Sequence, residues 1–364
     1  MSLTILSVAY PLTPVGPNAS GGSEQILWLL DRHLTSQGHR SLVIAVEGSG
    51  VSGELIPSPK AHTTELNDEV RRWGQRAHQR LLLETLNSYS VDMIHMHALD
   101  FHAYLPASSI LTLATLHLPV DWYPAHIFQR RRRNFYLNCV SESQQNCCPE
   151  ESAILPYVRN GIDVRSFVAD APKKPFVLSI GRICPEKGFH LALDAAKLAG
   201  VPMILGGELF PYPAHIEYFK KEIMPRLDAE RQFVGPVGVK QKRELLATAK
   251  ALLVPSQVAE TSSLVTMEAL ASGTPVIAFP MGAIPELVNP GVTGFLVANS
   301  RAMAKAIRNV DKLRPQDCRA AAEAQCDHRR MADSYVSLYG NLIQASTQMR
   351  PAPIVQSGLS WLAS

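Results

Sequence analysis

Two glutamates, Glu260 and Glu268, stand with seven residues between them in Ala259-Glu260-Thr-Ser-Ser-Leu-Val-Thr-Met-Glu268-Ala269-Leu270. An apolar strand, Ala251-Leu-Leu-Val-Pro-Ser256, precedes them, and a second, Gly273-Thr-Pro-Val-Ile-Ala-Phe279, follows. A helix starting near Ser262 or Ser263 leaves Glu260 in the loop at the carboxyl edge of a sheet. Glu268 then rides the helix about a turn and a half further on. Two acids at two depths of one crevice can hold two parts of one ligand, and open α/β sheets bind ligands in that crevice. The plainer alternative is one exposed glutamate at the helix start and another on its solvent face.

A complementary charge pattern lies in Ser179-Ile-Gly181-Arg182-Ile-Cys-Pro-Glu-Lys187-Gly188, at a strand-to-helix turn. Its two cations, five residues apart between glycines, can bracket a diphosphate, Arg182 as a forked donor and Lys187 as a mobile point charge. Gly181 keeps the backbone slim, and Gly188 opens a helix whose amides favour an anion. A solvated turn is the competing reading. In Asn18-Ala-Ser-Gly21-Gly22-Ser23-Glu24, adjacent glycines at a helix entrance allow close approach of a phosphate or sugar hydroxyl, or else form a flexible loop capped by Ser23. The loop is too long for the dinucleotide fingerprint, and GxGxxG is absent. His117 ends a buried strand on the side where such folds bind ligands, as a hydrogen-bonding group or as a structural histidine. His95 and His97 share one strand face; two histidines without a third ligand do not make a metal site. Asn160-Gly161-Ile162-Asp163 reads as a tight turn, and Gly291-Val-Thr-Gly294 as another. Glu286, in Gly282-Ala-Ile-Pro-Glu286, reads as a cap for the helix before or after it.

The elements that must position these residues alternate between strand and helix. In the first half, strand patterns occupy Thr4–Tyr10, Ser41–Val46, Val91–His97, Ile110–Leu116 and Phe135–Val140. A helix is expected from Ser23 to about Gln37, stopped at Gly38, and another of roughly fifteen residues ends near Tyr89. The second half places strands at Pro175–Gly181, Pro202–Gly207, Gln232–Val234, Ala251–Ser256, Pro275–Phe279 and Gly294–Val297, with helices such as Gly188–Leu198 and Lys240–Thr248 between them. This alternation predicts parallel sheets covered on both faces. Proline and charge interrupt it at Asp170–Pro175, the expected linker, and the tail from Pro351 to Ser364 carries no pattern. A chain of 364 residues accommodates two domains, and 46% hydrophobic with 18% charged residues is ordinary globular composition. A net charge of +3 gives no argument for nucleic acid. The run Arg130–Arg133 is locally basic, either a solvated helix end or a surface for an anionic acceptor or lipid headgroups. Six cysteines without metal-ligand spacing read as reduced thiols. The first ten residues read as a strand rather than a leader, and no apolar run approaches the ~20 residues of a spanning helix. A cytoplasmic location is expected.

Taken in order, Gly21-Gly22, His117, Asn160-Gly161-Ile162-Asp163, Gly181-Arg182 with Lys187-Gly188, the Glu260 and Glu268 pair, and Gly282 with Glu286 form a pattern that resembles the group 1 glycosyltransferases. These are retaining enzymes related to bacterial glycogen synthase and sucrose-phosphate synthase. The likeness runs from the first strand to about Ile343 and is strongest over residues 175–297. It implies an α/β chain of GT-B fold, two Rossmann-like, doubly wound parallel-sheet domains facing an interdomain cleft. An acceptor-side domain would occupy 1–168 and a nucleotide-sugar-binding domain 169–328. A final helix, about Arg329–Ile343 within the segment 329–364, would return to the first domain.

The resemblance implies that Arg182 and Lys187, with Gly181 between strand and turn, clamp a diphosphate. It gives Glu268 the ribose hydroxyls, Glu260 the donor sugar at the reacting centre, His117 a place near that sugar, and the Gly21-Gly22 loop an approach to the phosphate. Asn160, Ser262, Ser263, Leu264 and Val265 fall at further substrate-binding positions. One departure stands out: Thr261-Ser262-Ser263 replaces the Gly-aromatic-Gly common after the first acid, and its added β-carbons narrow the sugar pocket. The implied reaction moves a hexose from a nucleotide-diphosphate sugar to a carbohydrate, lipid-linked or small-molecule hydroxyl. No Asp-x-Asp motif is present, and neither metal nor cofactor is expected beyond the co-substrate. A nucleotide-sugar epimerase or hydrolase of the same architecture, and a non-catalytic nucleotide-sugar binding protein, are the alternatives; peripheral membrane contact goes with the second reading of the arginine run. Donor base, sugar, acceptor and oligomeric state are not encoded in these motifs.

Overall fold

The computed structural model describes residues 2–19, 21–61, 67–129, 134–150, 152 and 154–348. The N-terminal half contains β1 (Thr4–Val8), α1 (Gly22–Ser36), β2 (Arg40–Val46), β3 (Glu54–Ser58), α2 (Asp68–Ser88), β4 (Met93–Met96), β5 (Leu111–Thr115), β6 (Phe135–Asn138), α3 (Glu142–Asn146) and β7 (Ile154–Leu155). Its strands line up as β3-β2-β1-β4-β5-β6-β7, every neighbour parallel. The C-terminal half continues with β8 (Val177–Ile180), α4 (Phe189–Ala199), β9 (Met203–Gly206), α5 (Pro213–Tyr218), β10 (Arg231–Phe233), α6 (Val239–Thr248), β11 (Ala251–Val254), α7 (Leu264–Ala271), β12 (Val276–Ala278), α8 (Ile284–Leu287), β13 (Gly294–Leu296), α9 (Ser300–Asn309), α10 (Pro315–Gln325) and α11 (His328–Gln348). Those strands order as β10-β9-β8-β11-β12-β13, again all parallel.

Each sheet therefore reverses its winding direction once, between β1 and β4 in the first and between β8 and β11 in the second. A crevice opens at the carboxyl ends of the strands at such a point. Both sheets are buried on both faces, as parallel sheets with helical crossovers require. In the second, Leu178, Leu252 and Val276 face α7 and α10, while Val177, Leu253 and Ile277 face α4 and α9. In the first, Leu3 and Ile5 pack with Ile26 and Leu30 of α1 and with Met331, Tyr335 and Tyr339 of α11, so the last helix belongs to the first core.

The strands absent from the sequence reading are both at sheet edges. β3 carries Pro57, which an edge tolerates because one side of the strand needs no ladder partner, and β7 is two residues long. α2 is longer than expected, at 21 residues, because Asn67 caps it by accepting from the Glu69 and Val70 amides. Its polar sequence hid that start. Gly38 takes φ +78° after α1, the left-handed stop its position suggested.

Asn160–Asp163 does not close on itself as the tight turn its sequence suggested. The chain passes between the sheets beside the return crossing and bends only at Asp163, where the Val164 amide donates to the Ile162 carbonyl (2.9 Å). The Ile162 amide donates to the Cys326 carbonyl (2.7 Å) and the His328 amide to the Ile162 carbonyl (2.9 Å). Val164 and Phe167 already pack in the second core. Gly161 lies so close to the start of α11 that a β-carbon would sit 2.6 Å from the His328 Cα and 2.9 Å from the Asp327 carbonyl carbon. Gly161→Ala is thus expected to destabilise the fold by about 1–3 kcal/mol, the usual cost of overpacking against backbone. Urea denaturation checks this; an unchanged midpoint would mean that the two crossings are not locked together.

Candidate functional site

At the end of β8 the chain turns through Gly181–Gly188 before α4. Gly181 packs on Phe189, with a β-carbon there 3.2 Å from its ring, and the amide of Gly181 donates to Gly206 O (3.1 Å). Gly188, at φ +62°, caps α4; a side chain there would collide with the Pro255 carbonyl, so this glycine lets the β8 turn touch the β11 loop. Arg182 points outward, exposed and without an ion-pair partner among the described residues. Lys187 turns inward.

Lys187 Nζ lies 2.6 Å from Glu260 Oε1. The glutamate side chain is 9% exposed and the lysine 29%, so the pair sits at the inner wall of the crevice. Ser256 Oγ donates to the same carboxylate oxygen. The backbone of Glu260 is held from the other side, where the Ala283 amide donates to its carbonyl (2.8 Å) and Gly282, at φ +60°, packs against it. Glu260 is in the loop before α7, and Glu268 is in the second turn of that helix, as its spacing requires. Glu268 is 5% exposed, and its carboxylate accepts from Lys242 Nζ at 2.6 Å. Sequence reasoning did not single out Lys242. A signal was present: Lys240, Lys242 and Arg243 open α6, whose N-terminus disfavours cations through its dipole. A cation placed against that field has a partner elsewhere.

The first domain supplies the facing wall. Gly21 caps α1, and a β-carbon on it would strike the Glu24 carboxylate. Gly22 approaches Leu264 at the start of α7, so that a β-carbon on it would stand 3.4 Å from Leu264 Cδ1. Glu24, given no role by the sequence, is buried in the first turn of α1 with Ser23 Oγ donating to it (2.9 Å), and burial raises its pKa. His117 follows β5, and its carbonyl accepts from Thr261 Oγ1 (3.1 Å) across the cleft. Thr261 follows Glu260 directly, so this bond brings His117 beside the first acid of the pair.

His117 also ends a buried hydrogen-bond relay. Asn138 Nδ2 donates to the Cys139 carbonyl (3.2 Å), which turns Asn138 Oδ1 towards Thr115; Thr115 Oγ1 donates to it at 2.8 Å. Thr115 Oγ1 then accepts from His95 Nε2 (2.7 Å). His95 Nδ1 accepts from Tyr339 Oη (2.6 Å) and His97 Nε2 (3.1 Å), and His97 Nδ1 accepts from His117 Nε2 (3.2 Å). The polarity set at Asn138 leaves a lone pair on His117 Nδ1. Burial depresses all three pKa values, that of His117 to about 4. His95 and His97 do share a face, as their alternation suggested, but they form a relay with His117 and two tyrosines.

Among the remaining expected positions, Asn160 and Ser262 stand out. Asn160 Oδ1 and Ser262 Oγ are buried without a hydrogen-bond partner among the described residues. Ser263 Oγ contacts Thr266 Oγ1 (2.8 Å) rather than capping α7, and Leu264 packs into cores of both domains. The helix start of Leu264 and Val265 keeps its first amides open to a ligand. Glu286 corrects the sequence reading: it caps neither neighbouring helix. Its Oε1 accepts from the Ser143 amide of α3 (2.8 Å) and its Oε2 pairs with Arg159 (2.9 Å), so it ties the second domain to the first. In the Asp121-Trp122-Tyr123 loop, Tyr123 is turned inward and accepts from the His117 and Leu118 amides, whereas Trp122 is exposed. Arg130–Arg133 and the tail after Gln348 lie outside the described residues. No helix among the described residues is long and apolar enough to cross a membrane.

Residues 163–325 match the family model of glycosyl transferases group 1. Lipopolysaccharide 1,2-N-acetylglucosaminetransferase of Salmonella typhimurium is 28% identical over 194 residues, 49% of this chain and 49% of that protein. The chain spans about half the length of the curated relatives it matches. Among solved structures, sucrose-phosphate synthase from Thermosynechococcus elongatus superposes with a TM-score of 0.76 at 19% identity, covering 94% of this chain and 100% of that one. HepE of Anabaena in complex with UDP and glucose does so with a TM-score of 0.71 at 18% identity, over 93% and 100%. At these identities the likeness shows the fold, two Rossmann-like domains in the GT-B arrangement.

The relay makes a spectroscopic prediction. Ring ¹⁵N resonances of His117 should report a neutral imidazole protonated on Nε2 at pH 7 and still neutral at pH 5, and Thr115→Val should scramble that tautomer. Protonation above pH 6 would refute the relay. The sign for stability follows: unfolded histidines, at about 6.5, bind protons first. His117 therefore withdraws stability as pH falls from about 6.5 towards 4, and His95 and His97 act in the same direction, with the raised carboxyls of Glu24 and Asp100 opposing them.

Proposed function

We propose that this chain, which through its residues 163–325 belongs to the group 1 glycosyl transferases, moves a hexose from a nucleotide-diphosphate sugar to an acceptor hydroxyl with retention of anomeric configuration. The observation that carries this reading is the meeting of Lys187 and Glu260, 73 positions apart, at 2.6 Å beside the switch point of the second sheet. Donor nucleotide and diphosphate would lie along that edge. Glu268, steadied by Lys242, would accept from the ribose hydroxyls, and Arg182, Lys187 and the first amides of α4 would surround the diphosphate.

As the sugar–phosphate bond breaks, negative charge grows on the leaving diphosphate. Fixed cations and helix amides stabilise that charge without reorganising, a contribution of about 3–4 kcal/mol for a well-placed donor. Lys187 would move from Glu260 to the diphosphate when the donor binds, leaving the carboxylate to position the sugar and support positive charge developing at its anomeric carbon. Arg182 and Lys187 supply the charge that a divalent ion provides elsewhere, so we place no metal in the reaction. The acceptor, a carbohydrate, lipid-linked or small-molecule hydroxyl, would enter from the first domain past His117 and the exposed Trp122. HepE is held with UDP and glucose, which makes a uridine diphosphate sugar the first donor to test. Six thiols fit a reducing compartment such as the cytoplasm.

Lys187→Gln and Glu260→Gln are expected to lower kcat by about 10²–10³-fold, with the far-UV circular dichroism unchanged; normal turnover in either folded variant defeats the assignment. Glu268→Gln should act chiefly on donor KM. Magnesium and manganese should be dispensable for turnover, and strict dependence on either would overturn the metal-free reading. Thermal-shift screening of nucleotide-diphosphate sugars identifies the donor, since a ligand bound to the native state raises apparent stability by mass action.

A further inference from the structure

We infer that Cys184, Glu186 and His215 form a binding site for a thiophilic divalent cation of the zinc class, distinct from the Lys187–Glu260 pair. Cys184 and Glu186 belong to the turn after β8, and His215 is brought to them by α5. The Cys184 sulfur, a carboxylate oxygen of Glu186 and a ring nitrogen of His215 all lie within 4.8 Å of one another. Zinc binds sulfur at about 2.3 Å and nitrogen or oxygen at about 2.0–2.2 Å, so ligand atoms of a tetrahedral site stand roughly 3.3–3.8 Å apart. A contraction of about 1 Å completes the three-ligand face.

A second, independent observation points to a ligand. Glu186 Oε2 and His215 Nδ1 are shut off from solvent and have no hydrogen-bond partner among the described residues. Buried polar atoms ordinarily find partners, and an unpaired carboxylate oxygen beside an unpaired imidazole nitrogen is an arrangement that a cation satisfies at once. A thiolate and a carboxylate neutralise a divalent ion, and the Arg182 guanidinium, which interacts electrostatically with all three side chains, is a further charge beside the site. The thiol of Cys184 is 2% exposed, and its S–H bond breaks as the S–metal bond forms, one proton leaving to solvent. Solvent fills the fourth position. The filled site staples α5 to the turn that carries Arg182 and Lys187. It rests on this geometry alone, so its fate and that of the proposed transfer are decided separately.

Titration of the full chain with Co²⁺ tests the site. One equivalent should bring up a thiolate-to-cobalt charge-transfer band that Zn²⁺ then abolishes, and Zn²⁺ should raise the melting temperature. Cys184→Ser and His215→Gln should each remove the band. The second variant changes a half-buried position and keeps the test decisive if the first fails to fold. Cys148→Ser should retain the band; Cys139 and Cys148, whose sulfurs lie 3.5 Å apart, are the rival locus. Absence of the band, its survival in folded His215→Gln, or its loss in Cys148→Ser overturns the proposal.

Discussion

Desolvating one carboxylate at the edge of the second sheet is the constraint around which the cleft is built. Glu260 is nearly buried, and a buried charge persists only when it is paired and hydrogen-bonded. Lys187 and Ser256 meet that need from two different loops, and the backbone of Glu260 is fixed by a third through Ala283. The turns after β8, β11 and β12 are thereby gathered on one side chain. Such close approach of three backbones leaves no room for β-carbons. Gly188 and Gly282, both at positive φ, stand where a side chain would collide with the Pro255 carbonyl and with the Glu260 backbone. The glycines and the ion pair are parts of one arrangement: without the former the charges stay apart, and without the latter the carboxylate has no reason to be inside.

The first domain meets this edge with groups that are polar and few. Thr261 donates to the His117 carbonyl, Glu286 accepts from Ser143 and pairs with Arg159, and Leu264 reaches Gly22. Interfaces of this kind permit relative domain motion unless they are large and apolar. The covalent crossings are tighter, since Ile162 is bonded on both sides to Cys326 and His328. Motion of the domains would therefore turn about that paired segment and break the cleft contacts first. α11 carries the connection inward, because its Tyr335 and Tyr339 touch the relay that ends at His117.

The parts of this arrangement legible in the sequence are those governed by local periodicity. Central strands such as Ser41–Val46 and Ala251–Ser256 announce themselves because both faces are buried and the apolar run is unbroken. β3 and β7 do not, because an edge strand tolerates proline and polar residues. Glu260, Glu268, Arg182 and Lys187 were visible as charges beside glycines at strand ends, where parallel sheets bind ligands. Their pairing was not, since nothing in the sequence says that Lys187 reaches Glu260 or that Lys242 reaches Glu268. Glu286 shows the same limit: its position suits a local cap, but its partners lie in the other domain, and only the tertiary fold brings Ser143 and Arg159 to it. The arginine run falls among residues without a described structure, and its alternatives stand as the sequence left them.

Thr261 is where the departure from the family pattern acquires a physical meaning. With glycine at this position the His117 carbonyl would face the cleft with a free lone pair, open to a hydroxyl of a bound sugar. Threonine places a hydroxyl there that donates to that carbonyl and, being β-branched, is stiff about χ1. One of the carbonyl's two lone pairs is taken up, the threonine oxygen adds acceptor sites of its own, and the pocket gains a methyl group. In the proposed reaction, recognition of the sugar at this corner is therefore shared between the backbone carbonyl and the Thr261 side chain. A sugar hydroxyl turned towards His117 must fit beside the threonine and share the carbonyl with it, whereas a sugar deoxygenated at that carbon leaves more room for the methyl group. The same bond is one of those that join the domains, so the fit of the sugar and the closing of the cleft are coupled at this contact.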